Sequence, residues 1–406
     1  MKNKELIVDN GKLTREGFKT VFVKDIAEKI QYGYTGKSID KGSYRYLRIT
    51  DIQNNKVDWE SVPFSDIEGE EQIEKYKLKT NDIVFARTGA TVGKSFLIEE
   101  IENSVFASYL IRIVPKQQVF PKFLQYFFQS DDYWTQIRGH EVGAAQPNVN
   151  GKKLGKLKIP LPPLPEQRRI VSKLDGLFAE IDASLALIDQ NIEQAEALKL
   201  SVLDEEFSMD NEQLKINNLL EKTKNIHPKK EFSNEEFTYL DISSVDKDKK
   251  VIEKPKILKG REAPSRAKRE VKKGDVLFAT TRPNLKNIAI VEEDFNNPIA
   301  STGFCLLRTK PDKLLNKYLF YFLLTNIVQD LIQPFIRGAQ YPAISDSNLK
   351  SLKIPLSDIE TQQEIVQRLD ALFEEIDGLV SDYQQKREDL EALKSSLLDQ
   401  AFKGEL

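Results

Sequence analysis

The sequence predicts an α+β fold with two similar mixed α/β domains, separated by a pair of long antiparallel coiled-coil helices in a pseudo-two-fold internal repeat. Two observations support this prediction. A 51-residue segment that begins at Leu157 recurs 195 residues later at Leu352, and 25 of the aligned positions are identical. The remaining segments also resemble each other, though more faintly. We therefore divide the chain into head one (18–156), a helical spacer (157–209), head two (210–351) and a second helical spacer (352–406).

Both spacers have the apolar periodicity of long helices. Apolar residues recur at steps of 3 and 4, which predicts a continuous seam for a partner helix. This seam also takes in Leu198 and Leu393. Pro163 and Pro165 are expected to precede the first helix, because proline cannot join its hydrogen-bonded turns. The positions assigned to helix-pair packing are Ile170, Leu174, Leu177, Ile181, Ile188, Ile365, Leu369, Leu372, Ile376 and Tyr383.

The two helices are expected to run antiparallel. The first ends near Phe207 and the second begins near Thr361, with one globular segment between them. Because the termini of a domain usually lie close together, the second helix should start near the end of the first. This arrangement places the heads at opposite ends of a stiff spacer.

Composition excludes several classes of protein. The chain has 406 residues, of which 40% are hydrophobic and 30% charged, as in ordered proteins with real cores. Cys305 is the one cysteine, and the two histidines, His140 and His227, lie in different halves, so we expect no disulfide and no metal site. No apolar run approaches the ~18 residues that span a membrane. The polar N-terminus lacks a signal core, which favours a cytoplasmic protein.

Charge is distributed unevenly along the chain. The two helical segments 166–207 and 361–402 together carry −12, against a net charge of −3 for the whole chain, so the remainder carries +9. Basic heads beside acidic spacers are expected if the heads contact a polyanion. The most basic run is 254–273, although such a run is also typical of a solvated loop.

The heads share a series of short elements. Buried strands are predicted at 83–86 and 276–279, and proline-stopped strands at 110–115 and 305–311. Helices with aromatic stripes at 123–128 and 318–323 could stack bases, but burial against a sheet is favoured. Opening turns are predicted at 21–26 and 214–219, and alternating strands at 46–52 and 239–245.

The segment from Gly89 to Ser95 resembles a phosphate-binding Walker loop, but its spacing is wrong. That loop needs four residues between its first glycine and the Gly-Lys pair, and three are present here. Instead, both heads carry a polar turn after a buried strand, at 87–94 and 280–286. Such a tip can enter a DNA groove, where Arg suits guanine and Asn or Gln suits adenine. A plain surface hairpin remains the alternative.

The Gly-Ala loops at 143–147 and 338–342 offer further contacts, because glycine lets the backbone approach phosphate closely. A loop that simply turns toward the helix is the alternative. The residues assigned to DNA binding are Arg87, Thr88, Thr91, Lys94, Arg138, Gln146, Arg282, Asn284, Lys286, Arg337, Gln340 and Tyr341. No adenine-methyltransferase or nuclease motif is found, so no catalytic residue is assigned.

The segment 157–167, followed by Ile170, Val171, Leu174 and Asp175, resembles the central conserved region of type I restriction–modification specificity subunits. Its second copy begins at Leu352 and departs from the pattern at 357–361, where the Pro-Pro-Leu-Pro-Glu run is replaced. The stretches 82–89 and 143–147 also resemble the target-recognition domains of that family. The resemblance covers nearly the whole chain in the order head, helix, head, helix.

This resemblance implies a non-catalytic subunit in which each head reads one half of a bipartite, asymmetric DNA site. The helical pair would set the gap and dock two modification subunits, which methylate adenine with S-adenosylmethionine. Two restriction subunits could join, and they would use ATP and Mg²⁺. The competing interpretations are a coiled-coil scaffold that reads no DNA sequence and, less favoured, an ATPase.

Overall fold

A computed structural model describes residues 6–9, 12–15, 17–53, 56–89, 91–99, 101–138, 149–208, 212–338 and 340–406. The chain forms two compact units. Unit one comprises residues 1–188 and 385–406, and unit two comprises residues 189–384. Each unit thus combines one head with a segment of both long helices.

Unit one contains head one. Its strands are β1 (Leu6–Asp9), β2 (Lys12–Arg15), β3 (Lys19–Phe22), β4 (Ala27–Tyr32), β5 (Ser38–Ile39), β6 (Arg45–Leu47), β7 (Ile52–Gln53), β8 (Lys56–Val57), β9 (Phe64–Ser65), β10 (Ile83–Ala86), β11 (Ser95–Leu97), β12 (Ser104–Phe106), β13 (Leu110–Pro115) and β14 (Lys158–Leu161). Its helices are α1 (Val23–Ile26), α2 (Glu70–Tyr76), α3 (Pro121–Phe127), α4 (Asp131–Arg138), α5 (Gly151–Gly155) and the first part of α6 (Leu164–Glu206). One antiparallel sheet has the order β11-β10-β13-β4, and a second sheet, β12-β6-β9-β5, pairs β12 with β6 in parallel.

Unit two contains head two. Its strands are β15 (Gln213–Lys215), β16 (Glu236–Leu240), β17 (Val245–Asp246), β18 (Val251–Ile252), β19 (Lys256–Lys259), β20 (Ala267–Glu270), β21 (Val276–Ala279), β22 (Ile288–Ile290), β23 (Ile299–Ser301), β24 (Phe304–Leu307) and β25 (Lys353–Pro355). Its helices are α7 (Pro228–Glu231), α8 (Asn316–Leu324), α9 (Asn326–Ile332), α10 (Asp346–Ser351) and the first part of α11 (Ile359–Phe402). The sheet β22-β21-β24 repeats the β11-β10-β13 pairing of head one. In the sheet β19-β16-β23-β20, the parallel pair β16 with β23 corresponds to β6 with β12, but the outer strand β20 pairs with β23, whereas β5 of head one pairs with β9 at the opposite edge.

The core of each head lies between its antiparallel sheet and an aromatic helix. In unit one, Phe85 of β10 belongs to one buried cluster with Phe123 and Phe127 of α3, and the same cluster includes Leu174 of α6 and Phe402 of α11. Unit two repeats this cluster with Phe278, Tyr318, Phe322, Phe207 and Leu369. Burial of the aromatic stripes is confirmed, with Phe320 half-buried, so these rings hold the helices against the sheet.

Within each unit the two long helices run antiparallel, as predicted. In unit one, Arg169 bonds to the carbonyl of Leu406 at 2.7 Å and Asp182 pairs with Lys394 at 2.5 Å. In unit two, Lys199 pairs with Asp377 and Glu206 pairs with Arg368. As the residue numbers in α6 rise, those of their partners in α11 fall, and only antiparallel helices produce this order.

The predicted seam is wrong at Leu198 and Leu393, which are 49% and 44% exposed. A seven-residue repeat that runs through Phe178, Leu185 and Ile192 reaches position 199 rather than 198. Lys199 takes this place, with its ammonium over the ring of Phe373 and its charge paired with Asp377. Lys394 repeats the arrangement over Phe178. The other packing positions are buried (Ile170, Leu174, Ile181, Ile188, Ile365, Leu369, Ile376) or half-buried (Leu177, Leu372, Tyr383).

Three other boundaries differ from expectation. The repeated Leu-Lys-Ile-Pro-Leu segments form strands β14 and β25, which pair with the opening strands of their heads. Pro165 lies inside the first turn of α6, where its missing amide has no intrahelical partner to lose. The predicted alternating strands end early in 3₁₀ turns, Ile49–Asp51 and Ile242–Ser244, because Asp51 accepts a bond from the Arg48 amide and Asp241 accepts one from the Ser243 amide.

A buried glutamine fixes each head to its helix. In unit one, the Gln167 carbonyl oxygen accepts a bond from the Phe120 amide at 2.7 Å, and its amide group donates to the carbonyls of Gln118 and Pro162 at 3.3 and 2.8 Å. In unit two, Gln362 repeats all three bonds with segments 313–315 and 357.

A tyrosine reinforces each junction. Tyr321 donates to Asp370 of α11 at 2.5 Å, and Lys317 pairs with the same carboxylate at 2.8 Å. Burial, followed by the bond to Asp370, raises the pKa of Tyr321. Tyr126 and Asp175 form the equivalent bond in unit one. The junction residues therefore occur as matched sets, 195 positions apart.

No helix among the described residues is both long enough and apolar enough to cross a membrane.

Candidate nucleic-acid interface

In head two, the predicted polar turn is a hairpin loop between the antiparallel strands β21 and β22. Arg282 and Lys286 have left-handed backbone, with φ of +51° and +48°, and they flank a 3₁₀ turn, Pro283–Leu285. Asn284 in this turn is exposed. The loop therefore bends twice and does not form an extended tip.

A second loop packs along the first. Thr281 forms a β-bridge with Ala343, the Arg282 amide donates to the Pro342 carbonyl at 2.7 Å, and the Ile344 amide donates to the Thr280 carbonyl at 2.9 Å. These backbone bonds bring together residues about 60 positions apart in sequence. The guanidinium of Arg282 consequently lies 5.5 Å from the ring centroid of Tyr341.

The same second loop carries Arg337 and Gln340. Arg337 is bridged to Ala343, and its guanidinium donates to the carbonyls of Pro334 and Ile336 at 2.8 and 3.0 Å. Gln340 is exposed beside Tyr341. The structure therefore gathers Arg282, Arg337, Gln340 and Tyr341 into one loop cluster.

Lys286 behaves differently from these neighbours. Its ammonium points inward and donates to the Leu324 carbonyl at 2.7 Å and to the Asn326 side chain at 3.2 Å. Burial lowers the pKa of Lys286. These internal bonds indicate a role in fixing the loop rather than in touching DNA.

Sequence reasoning missed two exposed residues at this edge. Gly303 accepts bonds from both the amide and the hydroxyl of Thr280, and the adjacent Thr302 donates its amide to the Arg266 carbonyl at 2.8 Å. Thr302 and Arg266 are both exposed. The available sequence signal was the Ala-Ser pair that recurs at 107–108 and 300–301, and the structure exposes the residue that follows it in each head, Tyr109 and Thr302.

In head one, segment 87–94 joins the antiparallel strands β10 and β11. A Walker loop must lead from a strand into a helix, so this hairpin removes the structural basis for the ATPase interpretation. Gly89 and Gly93 have φ of +85° and +82°, which L-residues rarely adopt. Tyr133 anchors the loop by donating to the Gly93 carbonyl at 2.5 Å. Lys94 is exposed at the end of the loop, and Thr88 and Thr91 are half-buried.

Arg87 connects this loop to an open groove. Its amide donates to the Tyr109 carbonyl at 3.0 Å, and its guanidinium lies 5.1 Å from the ring centroid of Tyr32. Tyr109 is 63% exposed and lines a groove of about 700 Å³ together with Lys37 and Arg48. Sequence reasoning missed all three of these groove residues.

Two of the predicted contacts in head one adjoin or fall within residues 139–148. Arg138 is exposed at the C-terminal end of α4. Gln146 and the 143–147 loop lie outside the described residues. Among the residues that are described, no group of three or more histidine, cysteine, aspartate or glutamate side chains is placed to hold a metal ion.

Comparison with known proteins assigns both heads and most of both helices to one family. A family model described as the type I restriction modification DNA specificity domain matches residues 15–194 and again residues 209–382. The chain belongs to this family. Its internal repeat therefore corresponds to two copies of one specificity domain.

Relatives match this chain over most of their own length. The chain is 26% identical over 424 residues to the putative type I restriction enzyme MjaX specificity subunit of Methanocaldococcus jannaschii, covering 95% of this chain and 92% of the relative. It is 26% identical over 396 residues to the EcoKI specificity subunit of Escherichia coli, covering 89% and 82%.

Solved structures show the same fold. A chain from a study of complex assembly and conformational transition in a type I restriction–modification system superposes with a TM-score of 0.75 at 20% identity, covering 96% of this chain and 98% of that one. The HsdS subunit of Thermoanaerobacter tengcongensis superposes with a TM-score of 0.59 at 20% identity, covering 98% and 100%.

Proposed function

We propose that this type I specificity subunit is non-catalytic and that each head reads one half of a bipartite, asymmetric DNA site. The observation that carries the proposal is the repeated scaffold, which presents a different polar loop cluster in each head. Head two presents Arg282 and Tyr341, whereas head one presents Arg87 and Tyr109. One framework with two different reading loops is what an asymmetric site requires, because base edges distinguish sequences and the scaffold only positions the contacts.

The long helices set the gap between the two half-sites. Specific binding to a split site requires reading elements at a fixed separation along the duplex. The buried Gln167 and Gln362 junctions support this role, because each head is bonded directly to its helix.

Two modification subunits dock on the helices. Segments 196–198 and 391–393 are identical Glu-Ala-Leu triplets and are exposed in both copies. Contacts within the chain explain why a lysine occurs at both 199 and 394. They do not explain why an exposed leucine occurs at both 198 and 393. An exposed apolar residue repeated in both copies is suited to two copies of one partner.

The chemistry of the complex belongs to the partners. Modification subunits use S-adenosylmethionine to methylate adenine at N6, and two restriction subunits use ATP and Mg²⁺. This chain contributes the choice of site.

The test is to co-express the chain with modification subunits of its system and to map N6-methyladenine across the host genome. We expect a split motif with a constant gap, absent when this chain is omitted. Methylation without any motif would refute sequence reading and would favour a scaffold.

Docking is tested with the double variant Leu198→Glu, Leu393→Glu. Leu187→Glu, Leu379→Glu is the matched control, since these leucines are at least as exposed on average, at 60% and 46%, but align with Asp382 and Ser184 in the other copy. We expect only the first pair to lose copurification with modification subunits. Equal loss, or no loss, would contradict this docking surface.

A further inference from the structure

Arg282 has a backbone conformation that its sequence context opposes. Its φ of +51° and ψ of 56° lie in the left-handed region, which side-chain-bearing residues rarely adopt. The next residue is Pro283, and a residue before proline is pushed toward extended backbone. A strained residue of this kind persists only where the surrounding structure fixes it, and such residues cluster at ligand-contacting sites.

The surroundings that fix Arg282 come from the second loop. Its amide bonds to the Pro342 carbonyl at 2.7 Å, and the bridge between Thr281 and Ala343 holds the preceding residue. The loop is closed behind it by Lys286, whose ammonium bonds to the Leu324 carbonyl. The backbone at Arg282 is therefore set by contacts on both sides.

The guanidinium is also oriented. It lies over the ring of Tyr341, which is 67% exposed, so a flat donor group stands on a flat platform at the surface. A cation above an aromatic face is attracted by the ring quadrupole, and an arginine held in this way loses less freedom when it forms further bonds. Neighbouring Arg337, by contrast, donates to carbonyls of its own loop.

We propose that Arg282, oriented by Tyr341, reads one guanine in the half-site recognised by head two. The planar guanidinium matches the two acceptors of guanine in the major groove, O6 and N7, as a bidentate pair. Tyr341 is the positioning residue. The inference rests on the proposed function, because it assumes that head two reads DNA, and it adds the base, the reading residue and the residue that orients it.

The test uses the full chain co-expressed with modification subunits and compares methylation of the wild-type motif with its single-base variants. Arg282→Gln removes the charge and the fork, while Arg282→Lys keeps the charge and removes the fork. We expect both to lower discrimination at one guanine by about tenfold to a hundredfold and to leave the other positions unchanged. A phosphate-binding arginine would instead tolerate lysine and would show no base-specific change.

Tyr341 is tested with Tyr341→Ala and Tyr341→Phe. Alanine removes the ring and should lower discrimination at the same guanine. Phenylalanine keeps the ring and should leave that discrimination unchanged. Arg261→Gln is the control, because Arg261 is an exposed arginine of the same head that pairs with Glu262. Thermal unfolding of each variant checks that the fold is intact.

Three results would overturn the inference: a half-site for head two that lacks guanine, an unchanged motif in Arg282→Gln, or full retention of discrimination in Arg282→Lys. These outcomes are distinct from failure of the proposed function, in which the wild-type chain would direct no split motif at all.

Discussion

The junction between head two and its long helix can be tested by removing the side chain of Gln362. This glutamine is fully buried. It accepts a bond from the Leu315 amide at 2.9 Å and donates to the carbonyls of Lys313 and Ser357 at 3.0 and 2.8 Å. Gln362→Ala leaves the Leu315 amide without its acceptor and the carbonyls of Lys313 and Ser357 without their donor. At about 1 kcal/mol each, the junction loses about 3 kcal/mol.

This loss should be visible as local opening. A change of about 3 kcal/mol corresponds to a roughly hundredfold drop in hydrogen-exchange protection, since every ~1.4 kcal/mol is a factor of ten. The Leu315 amide is the most direct reporter, because its acceptor is removed. Hydrogen exchange followed by mass spectrometry across 313–320 provides the measurement.

Gln363→Ala is the matched control, since Gln363 is adjacent to Gln362 and exposed. An exposed substitution of this kind should change stability by less than about 0.5 kcal/mol. If the two variants exchange at the same rate in this region, the buried glutamine does not hold head and helix together, and the reasoning about both junctions fails.

Three further predictions concern head two. Arg282→Gly should be more stable than Arg282→Val by about 1–2 kcal/mol in thermal unfolding, because glycine accepts the left-handed backbone and a β-branched residue does not; equal stability would contradict the strain. Tyr321→Phe should cost about 1–3 kcal/mol in chemical denaturation, since it removes a bond to the Asp370 carboxylate; an unchanged midpoint would show that this bond contributes nothing. Because burial lowers the pKa of Lys286 below 10.5, the unfolded chain binds more protons than the folded chain between the lowered value and 10.5. Lys286 should therefore make the free energy of unfolding increase with pH in that window, and this contribution should be absent in Lys286→Met.

The internal repeat was the most informative part of the sequence, and the contacts explain why. Identical pairs such as Gln167 with Gln362 and Asp175 with Asp370 make the same bonds to their own heads. These bonds restrict the residue type in each copy independently. The antiparallel direction of the helices followed from chain connectivity alone.

Side-chain placement at the loops could not be read in the same way. The contact of Arg282 with Tyr341 depends on backbone bonds between loops about 60 residues apart, and no local pattern encodes it. The residue type of Lys286 favours a DNA contact, but its ammonium bonds to the Leu324 carbonyl, a partner that the local sequence does not reveal. Steps of 3 and 4 allow either Leu198 or Lys199 to continue the seam, and in the structure it is Lys199 that contacts α11, where it pairs with Asp377.

The central claim is that each head reads its own half of the DNA site. Exchanging residues 18–156 for the corresponding segment of a relative with another specificity, followed by genome-wide mapping of N6-methyladenine, tests it most directly. We predict that one half of the methylated motif changes while the other half and the gap stay the same. A motif that changes in both halves, or in neither, would contradict the account.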